Sequence, residues 1–281
     1  MWRVTPPTIT AQETFARCTS RVRDPDLRQR FANIAQHIDV ASGAFEVAAN
    51  AHQLHTIVRQ AGVGVVSTDE MVAVYDDRMA KKSGPGRALY ESIRGGAPHG
   101  RCPLCGQRDV TTLDHHLPKR QYAALAVTPL NLVPACTDCN KAKLETYPTT
   151  RNNQMLHPYF DNIDDDRWLH GTVISGPTAI VNFHVEAAAS WDETTTARVA
   201  LHFDVLQLAA LYASHAAEEL RNVQGYLRDL FLSAGPTILR SHLAERAESC
   251  MRSRRNSWQT ATYFALTNSD WYCDGGLNFE P

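Results

Sequence analysis

The chain has 281 residues, 43% of them hydrophobic, and a formal net charge of −2. That length and apolar content can bury a proper core divided into two or three modules. The charge excludes a polycation that coats nucleic acid by electrostatics alone, and no run of eighteen apolar residues is present to cross a membrane. The opening MWRVTPPTIT has neither a basic leader nor an apolar core before a small-residue cleavage site, so the cytoplasm is the expected compartment, with no membrane partner. Of seven cysteines, Cys18, Cys250 and Cys273 are scattered singly and four fall in two pairs, which fits a reducing compartment better than a disulfide framework.

The first eighty residues read as helical. Thr10 with Glu13, and Ser67 with Glu70, have the spacing of capping boxes, in which a hydroxyl and a carboxylate satisfy the free amides of a helix start. Between them Leu27, Phe31, Ile34, Ile38, Ala41, Phe45 and Ala48 recur at steps of three and four, the apolar face of one long helix. His37, His52 and His55 lie on this segment with no carboxylate or thiol at ligand spacing, so they read as structural or exposed. Ser83-Gly-Pro-Gly86 breaks the helical region, and a short helix from Arg87 to Arg94 leads into Gly95-Gly96.

Beyond this hinge come Cys102-x-x-Cys105 and Cys136-x-x-Cys139. Thiolates separated by two residues turn onto one ion without strain, and two such pairs supply the four sulfurs of a structural zinc site. From Arg101 to Lys143 six basic residues stand against three acidic ones, a local +3 on a remainder of −5. That places a modest positive surface on an acidic body, suited to phosphates but equally an ordinary solvated face. After Lys143 a loop through Tyr147-Pro148 reaches His157-Pro158-Tyr159-Phe160-Asp161 and the acidic run Asp164-Asp165-Asp166. That run lacks the glycine and spaced ligands of a calcium loop and reads as a solvated turn. GTVISGPTAIVNFHVE, from Gly171 to Glu186, reads as a β-hairpin around Ser-Gly-Pro. Helical periodicity returns over 191–232 and 237–251, before a Trp- and Tyr-rich end.

Asp114-His115, Asn131-Leu132 and Cys136-x-x-Cys139-Asn140-x-x-Lys143 together resemble the HNH nuclease family. The phrase DHHLPKRQYAALAVTPLNLVPACTDCNKAK is similar to the HNH component of Septu-type bacterial antiphage systems and their retron-linked relatives. The resemblance covers residues 101–161. It implies a ββα-metal module in which a hairpin and a helix grip one catalytic divalent metal, and an ATPase partner in an antiviral defence system. The expected fold is therefore α+β and mostly helical. A helical region (1–82) precedes a central HNH module with a four-cysteine zinc knuckle (83–160), and a C-terminal β-hairpin and helical region (161–281) follows.

The residue chemistry agrees with what the resemblance implies. Phosphodiester hydrolysis needs an activated water, a cation on the phosphate and help for the departing oxygen. Asp114 and Asn140 offer the hard oxygens that suit Mg²⁺ or Mn²⁺, while thiolates select zinc. His115, with an ordinary pKa near ~6.5, is the expected general base, and the resemblance gives Asn131 the role of orienting it. His116 stands beside it, and spacing alone does not choose between two adjacent imidazoles. Lys119, Arg120, Lys141 and Lys143 are candidates for phosphate contacts. The expected function is metal-dependent endonucleolytic cutting of nucleic acid, DNA first. The alternative is a zinc-knuckle module or adaptor that binds nucleic acid without cutting it. The helical flanks exceed what cutting needs and are the expected place for a partner or self-association surface.

Overall fold

The computed structural model describes residues 1–276, so the last five residues of the expected 161–281 region lie outside the described residues. The chain forms two compact units, residues 1–162 and 163–281.

In the first unit, α1 (Ala11–Thr19) begins at a complete capping box: the Thr10 hydroxyl accepts from the Glu13 amide, and the Glu13 carboxylate accepts from the Thr10 amide. Helix α2 (Pro25–Asn50) starts with the Asp24 carboxylate on the amides of Asp26 and Leu27 and a proline in its first turn. Its face of Phe31, Ile34, Ile38 and Phe45 is buried as the periodicity requires, each side chain contributing roughly 1.5–3 kcal/mol of transfer free energy. A short antiparallel pair, β1 (Gly62–Val63) and β2 (Val66–Ser67), leads into α3 (Thr68–Ala73), capped reciprocally by Ser67 and Glu70. The helix then widens into a π-helical stretch, Val74–Ala80, before α4 (Arg87–Gly95).

Strands β3 (Thr112–His115) and β4 (Leu132–Ala135) pair antiparallel, with Asp114 opposite Val133 and His115 opposite Leu132, and α5 (Thr137–Lys143) follows directly. These elements share one apolar interior with the N-terminal helices. Phe15, Phe31 and Ile34 pack in the same cluster as Leu113, Ala126 and Leu132, so the expected regions 1–82 and 83–160 are built on a common core. A short strand pair buries too little by itself; the helices supply the apolar surface it lacks.

The second unit contains the expected hairpin, β5 (Leu169–Ile174) with β6 (Ile180–Val185), then α6 (Glu193–Val205), α7 (Leu208–Ser253), α8 (Trp258–Thr267) and α9 (Asp270–Cys273). Helix α7 breaks at Gly235, whose backbone at φ 79°, ψ 177° is open essentially to glycine alone, just before Pro236. The acidic run is a polar turn tied by its backbone, the Arg255 guanidinium reaching the carbonyls of Asp164 and Asp165 and the Asn256 amide donating to that of Asp166. The chain is mostly helical with small antiparallel strand pairs. Among the described residues no helix is long and apolar enough to cross a membrane.

Arg30 on α2 grips Glu70 with both guanidinium arms, at 2.7 and 2.9 Å, while the Ser67 amide donates to the same carboxylate at 2.9 Å. Arg30 first, with Ser67, holds the Glu70 carboxyl down at about 2. A depressed folded value means the stabilisation is complete above the ordinary carboxylate range near ~4.3 and disappears as pH falls through about 2. Glu70→Gln is expected to lower the unfolding free energy by about 1 kcal/mol at pH 7, and variant and wild type to converge in acid near pH ~2. Guanidinium titrations at both pH values check this; an equal difference at each would contradict it.

Candidate active site and zinc centre

The four paired cysteines bracket the β3–β4 hairpin. Cys102 and Cys105 precede β3; Cys136 caps α5, its sulfur accepting from the Cys139 amide at 3.3 Å. All four side chains are buried and their sulfurs lie within 4.8 Å of one another, with no disulfide between them. The turn after the first pair closes through the Gly106 amide on the Cys102 carbonyl at 2.7 Å. Gly106 sits at φ 69°, and a Cβ there would meet the Trp2 indole nitrogen at 2.5 Å. Four thiols gathered in so small a buried volume fit tetrahedral Zn²⁺, which neutralises the charge their thiolates would otherwise strand there.

At the opposite end of the hairpin the strand delivers three consecutive polar residues. Asp114 is only 3% exposed, and burial pushes its carboxyl pKa up, against the pull of Lys143. The Lys143 ammonium, itself buried, stands 3.2 Å from Asp114 Oδ2 and donates to the His115 carbonyl at 2.6 Å. His115 is half-buried. Its Nε2 lies 2.8 Å from the Ala126 carbonyl and its ring meets Tyr75 edge-on, with centroids 4.3 Å apart. A carbonyl only accepts, so Nε2 carries the proton and Nδ1 is the basic nitrogen. Burial above all, with Lys119 and Lys143 adding to it against the Ala126 carbonyl, pushes the imidazole pKa down to about 3.

His116, the residue just past β3, is turned into the interior. It is 4% exposed and its ring packs 4.2 Å from that of His157. Asn131, fully buried, closes the long connection between the strands: its side-chain oxygen accepts from the Leu117 amide at 2.7 Å, and its Nδ2 donates to the carbonyls of Leu117 and Leu125 at 2.9 and 3.2 Å. Ala126, directly after Leu125 in the chain, is the residue whose carbonyl holds His115.

Asn140 sits half-buried on α5, one turn before Lys143 and so on the same side of the helix. Lys119 pairs with Asp76 and lies 4.6 Å over the Tyr75 ring, Arg120 is 3.2 Å from Asp69, and Lys141 is exposed on α5. Lys143 thus differs from the other three cations in being engaged by Asp114 inside the fold. Sequence reasoning missed Tyr75 and the Ala126 carbonyl, because a ring on a distant helix and a main-chain oxygen leave no spacing signal. It also left His52 without an acidic partner; folding brings its Nδ1 to 3.2 Å from Asp161 Oδ1, across more than a hundred residues.

Removing one partner of a buried ion pair strands the other charge. Lys143→Met is therefore expected to cost about 3 kcal/mol in urea unfolding and Lys141→Met under about 0.5 kcal/mol, a difference that equal losses would refute. The wild-type protein is expected to hold about one zinc ion per chain by elemental analysis, and Cys105→Ser to lose it together with the amide protection of α5.

Comparison with known proteins fits this arrangement. Over 290 aligned residues, covering 96% of this chain and 98% of the other, the protein is 26% identical to protein ea31 of Escherichia phage lambda, whose name states no activity. No solved structure matches. The model of the HNH endonuclease family matches residues 102–145, the span that holds both cysteine pairs, the hairpin and α5.

Proposed function

We propose that the protein is a metal-dependent endonuclease that hydrolyses phosphodiester bonds of DNA at the β3–β4 hairpin. One observation carries the reading: an imidazole kept neutral by burial, fixed through Nε2 by a main-chain carbonyl, follows directly on a buried carboxylate. With Nε2 held by that carbonyl, Nδ1 is the ring nitrogen left to take a proton.

Asp114 and Asn140 would hold the catalytic Mg²⁺ or Mn²⁺. Their oxygens are hard donors, and the Asp114 carboxylate already sits where only a cation makes its burial tolerable. When bound, the ion supplies positive charge at the scissile phosphate and the departing 3′ oxygen. His115 Nδ1 takes the proton from the attacking water, and the Ala126 carbonyl stabilises the imidazolium that results. Tyr75 limits the ring's rotation and shields it from bulk water. Lys119, Arg120 and Lys141 contact backbone phosphates, the first two by exchanging Asp76 and Asp69 for the substrate. Lys143 holds Asp114 and the His115 carbonyl in place from beneath. His116, turned into the core against His157, takes no proton from water. An effector role in antiphage defence, with an ATPase partner or a second copy held by the helical flanks, is the finer form of this reading; co-purification with the products of neighbouring genes tests it.

Purified, zinc-loaded protein is expected to cut plasmid with Mg²⁺ or Mn²⁺ and to stop with EDTA. His115→Ala should lose at least about 100-fold in rate with its zinc intact. Because burial holds the His115 pKa at about 3, the rate should show no histidine titration near ~6.5 as pH falls from 8 towards 5. Full activity in His115→Ala would remove it as the base. No cutting of duplex DNA, single-stranded DNA or RNA by wild type would leave a binding module in place of an enzyme.

A further inference from the structure

The segment His157-Pro158-Tyr159-Phe160-Asp161 lies outside the zinc knuckles and the hairpin, yet it reaches the hairpin through two hydrogen bonds of one kind. The carbonyls of β4 and of the 3-10 turn Pro129–Asn131 that leads into it point to two sides. Those of Asn131 and Ala135 face β3, accepting from the amides of His116 and Thr111 at 2.8 and 3.0 Å. The carbonyl of Leu132 faces the open edge of the pair, and that of Leu130, on the other side of Asn131, lies in the turn just before β4. There a buried oxygen must find a donor or cost free energy. The donors come from this segment: His157 Nε2 lies 3.1 Å from the Leu130 carbonyl, and the Tyr159 hydroxyl donates to that of Leu132 at 2.8 Å. Two carbonyls two residues apart are met by side chains two apart on a later segment of the same chain.

The donor roles are fixed by the local structure. The Tyr159 amide donates to His157 Nδ1 at 3.2 Å, so that nitrogen is the acceptor and the proton stands on Nε2, aimed at Leu130. Burial raises the Tyr159 pKa, keeping the hydroxyl protonated as a donor. Asp161 braces the turn by accepting from the His157 amide at 2.6 Å, while Phe45 and Phe160 pack edge-on around the His157 ring.

We infer that His157 and Tyr159 are positioning residues for the proposed cutting site: by clamping the carbonyls on both sides of Asn131 they hold its side-chain amide at Leu117 and Leu125, and through that loop the Ala126 carbonyl that seats His115. The consequence for catalysis rests on the nuclease reading; the clamp on Asn131 does not.

The test uses the full-length, zinc-loaded protein with Tyr159→Phe, His157→Leu and His157→Gln. A glutamine places its Nε2 about where the imidazole Nε2 stands, so it restores the donor to Leu130 without the ring. Two readouts are followed: exchange of the Asn131 side-chain amide protons by NMR, with the Cys139 amide as reference, and the steady-state rate of plasmid cutting. Tyr159→Phe and His157→Leu are expected to speed Asn131 side-chain exchange about tenfold while Cys139 stays protected, and to lower kcat about tenfold at unchanged KM; His157→Gln should recover most of both. Unchanged Asn131 exchange in Tyr159→Phe and His157→Leu overturns the clamp whatever the activity, and so does parallel loss of Cys139 protection in both, which would mean general unfolding. If wild type cuts nothing yet Asn131 loosens as stated, the clamp stands and the nuclease reading falls.

Discussion

The side-chain amide of Asn131 is the interaction on which the site depends. β3 and β4 are joined by a long connection, not a tight turn, so no ladder of strand hydrogen bonds orders the chain between them. One buried amide stands in for that ladder, taking both main-chain groups of Leu117 and the carbonyl of Leu125. Its own carbonyl receives the His116 amide, so the same residue ends the strand pairing and closes the loop. Apolar residues at this position would leave three buried backbone groups without partners, each costing about 1–3 kcal/mol.

The hairpin is thereby tied at both ends by different means. At the Thr112–Ala135 end the four cysteines gather, two before the strands and two after them. At the His115–Leu132 end the ties are Asn131 and the paired donors of the 157–161 segment. Between these anchors lies a two-stranded ladder that would be marginal in isolation, resting on the helices of the same unit. The four sulfurs at one end are the soft ligands that select zinc, and the carboxylate at the other is a hard donor of a different kind.

Electrostatically the site consists of few charges in a dry place. Asp114 is buried and tolerable only against a cation, which Lys143 provides from the last turn of α5. His115, beside it, is kept neutral by burial and by the neighbouring cations. The adjacent His116 lies instead in the aromatic interior with His157.

Much of this was legible from residues alone wherever the physics is local. Capping boxes at Thr10 and Ser67, the apolar stripe of α2, the hairpin of the second unit and the two cysteine pairs depend on spacings of two to four residues, which a linear sequence states directly. The motif from Asp114 to Lys143 likewise falls within the span that the HNH family model matches. What spacing cannot express is which distant atoms meet: Tyr75 against His115, Asp161 beside His52, the Ala126 carbonyl on an imidazole, or His157 and Tyr159 on a strand edge. Nor does it separate Lys141 from Lys143, two residues apart in sequence but on different sides of a helix, one in solvent and one against a buried carboxylate. Sequence determined the ligand types, the helix starts and the strand pattern; tertiary structure decided burial and therefore charge state, because the cost of a charge depends on what the rest of the chain places around it.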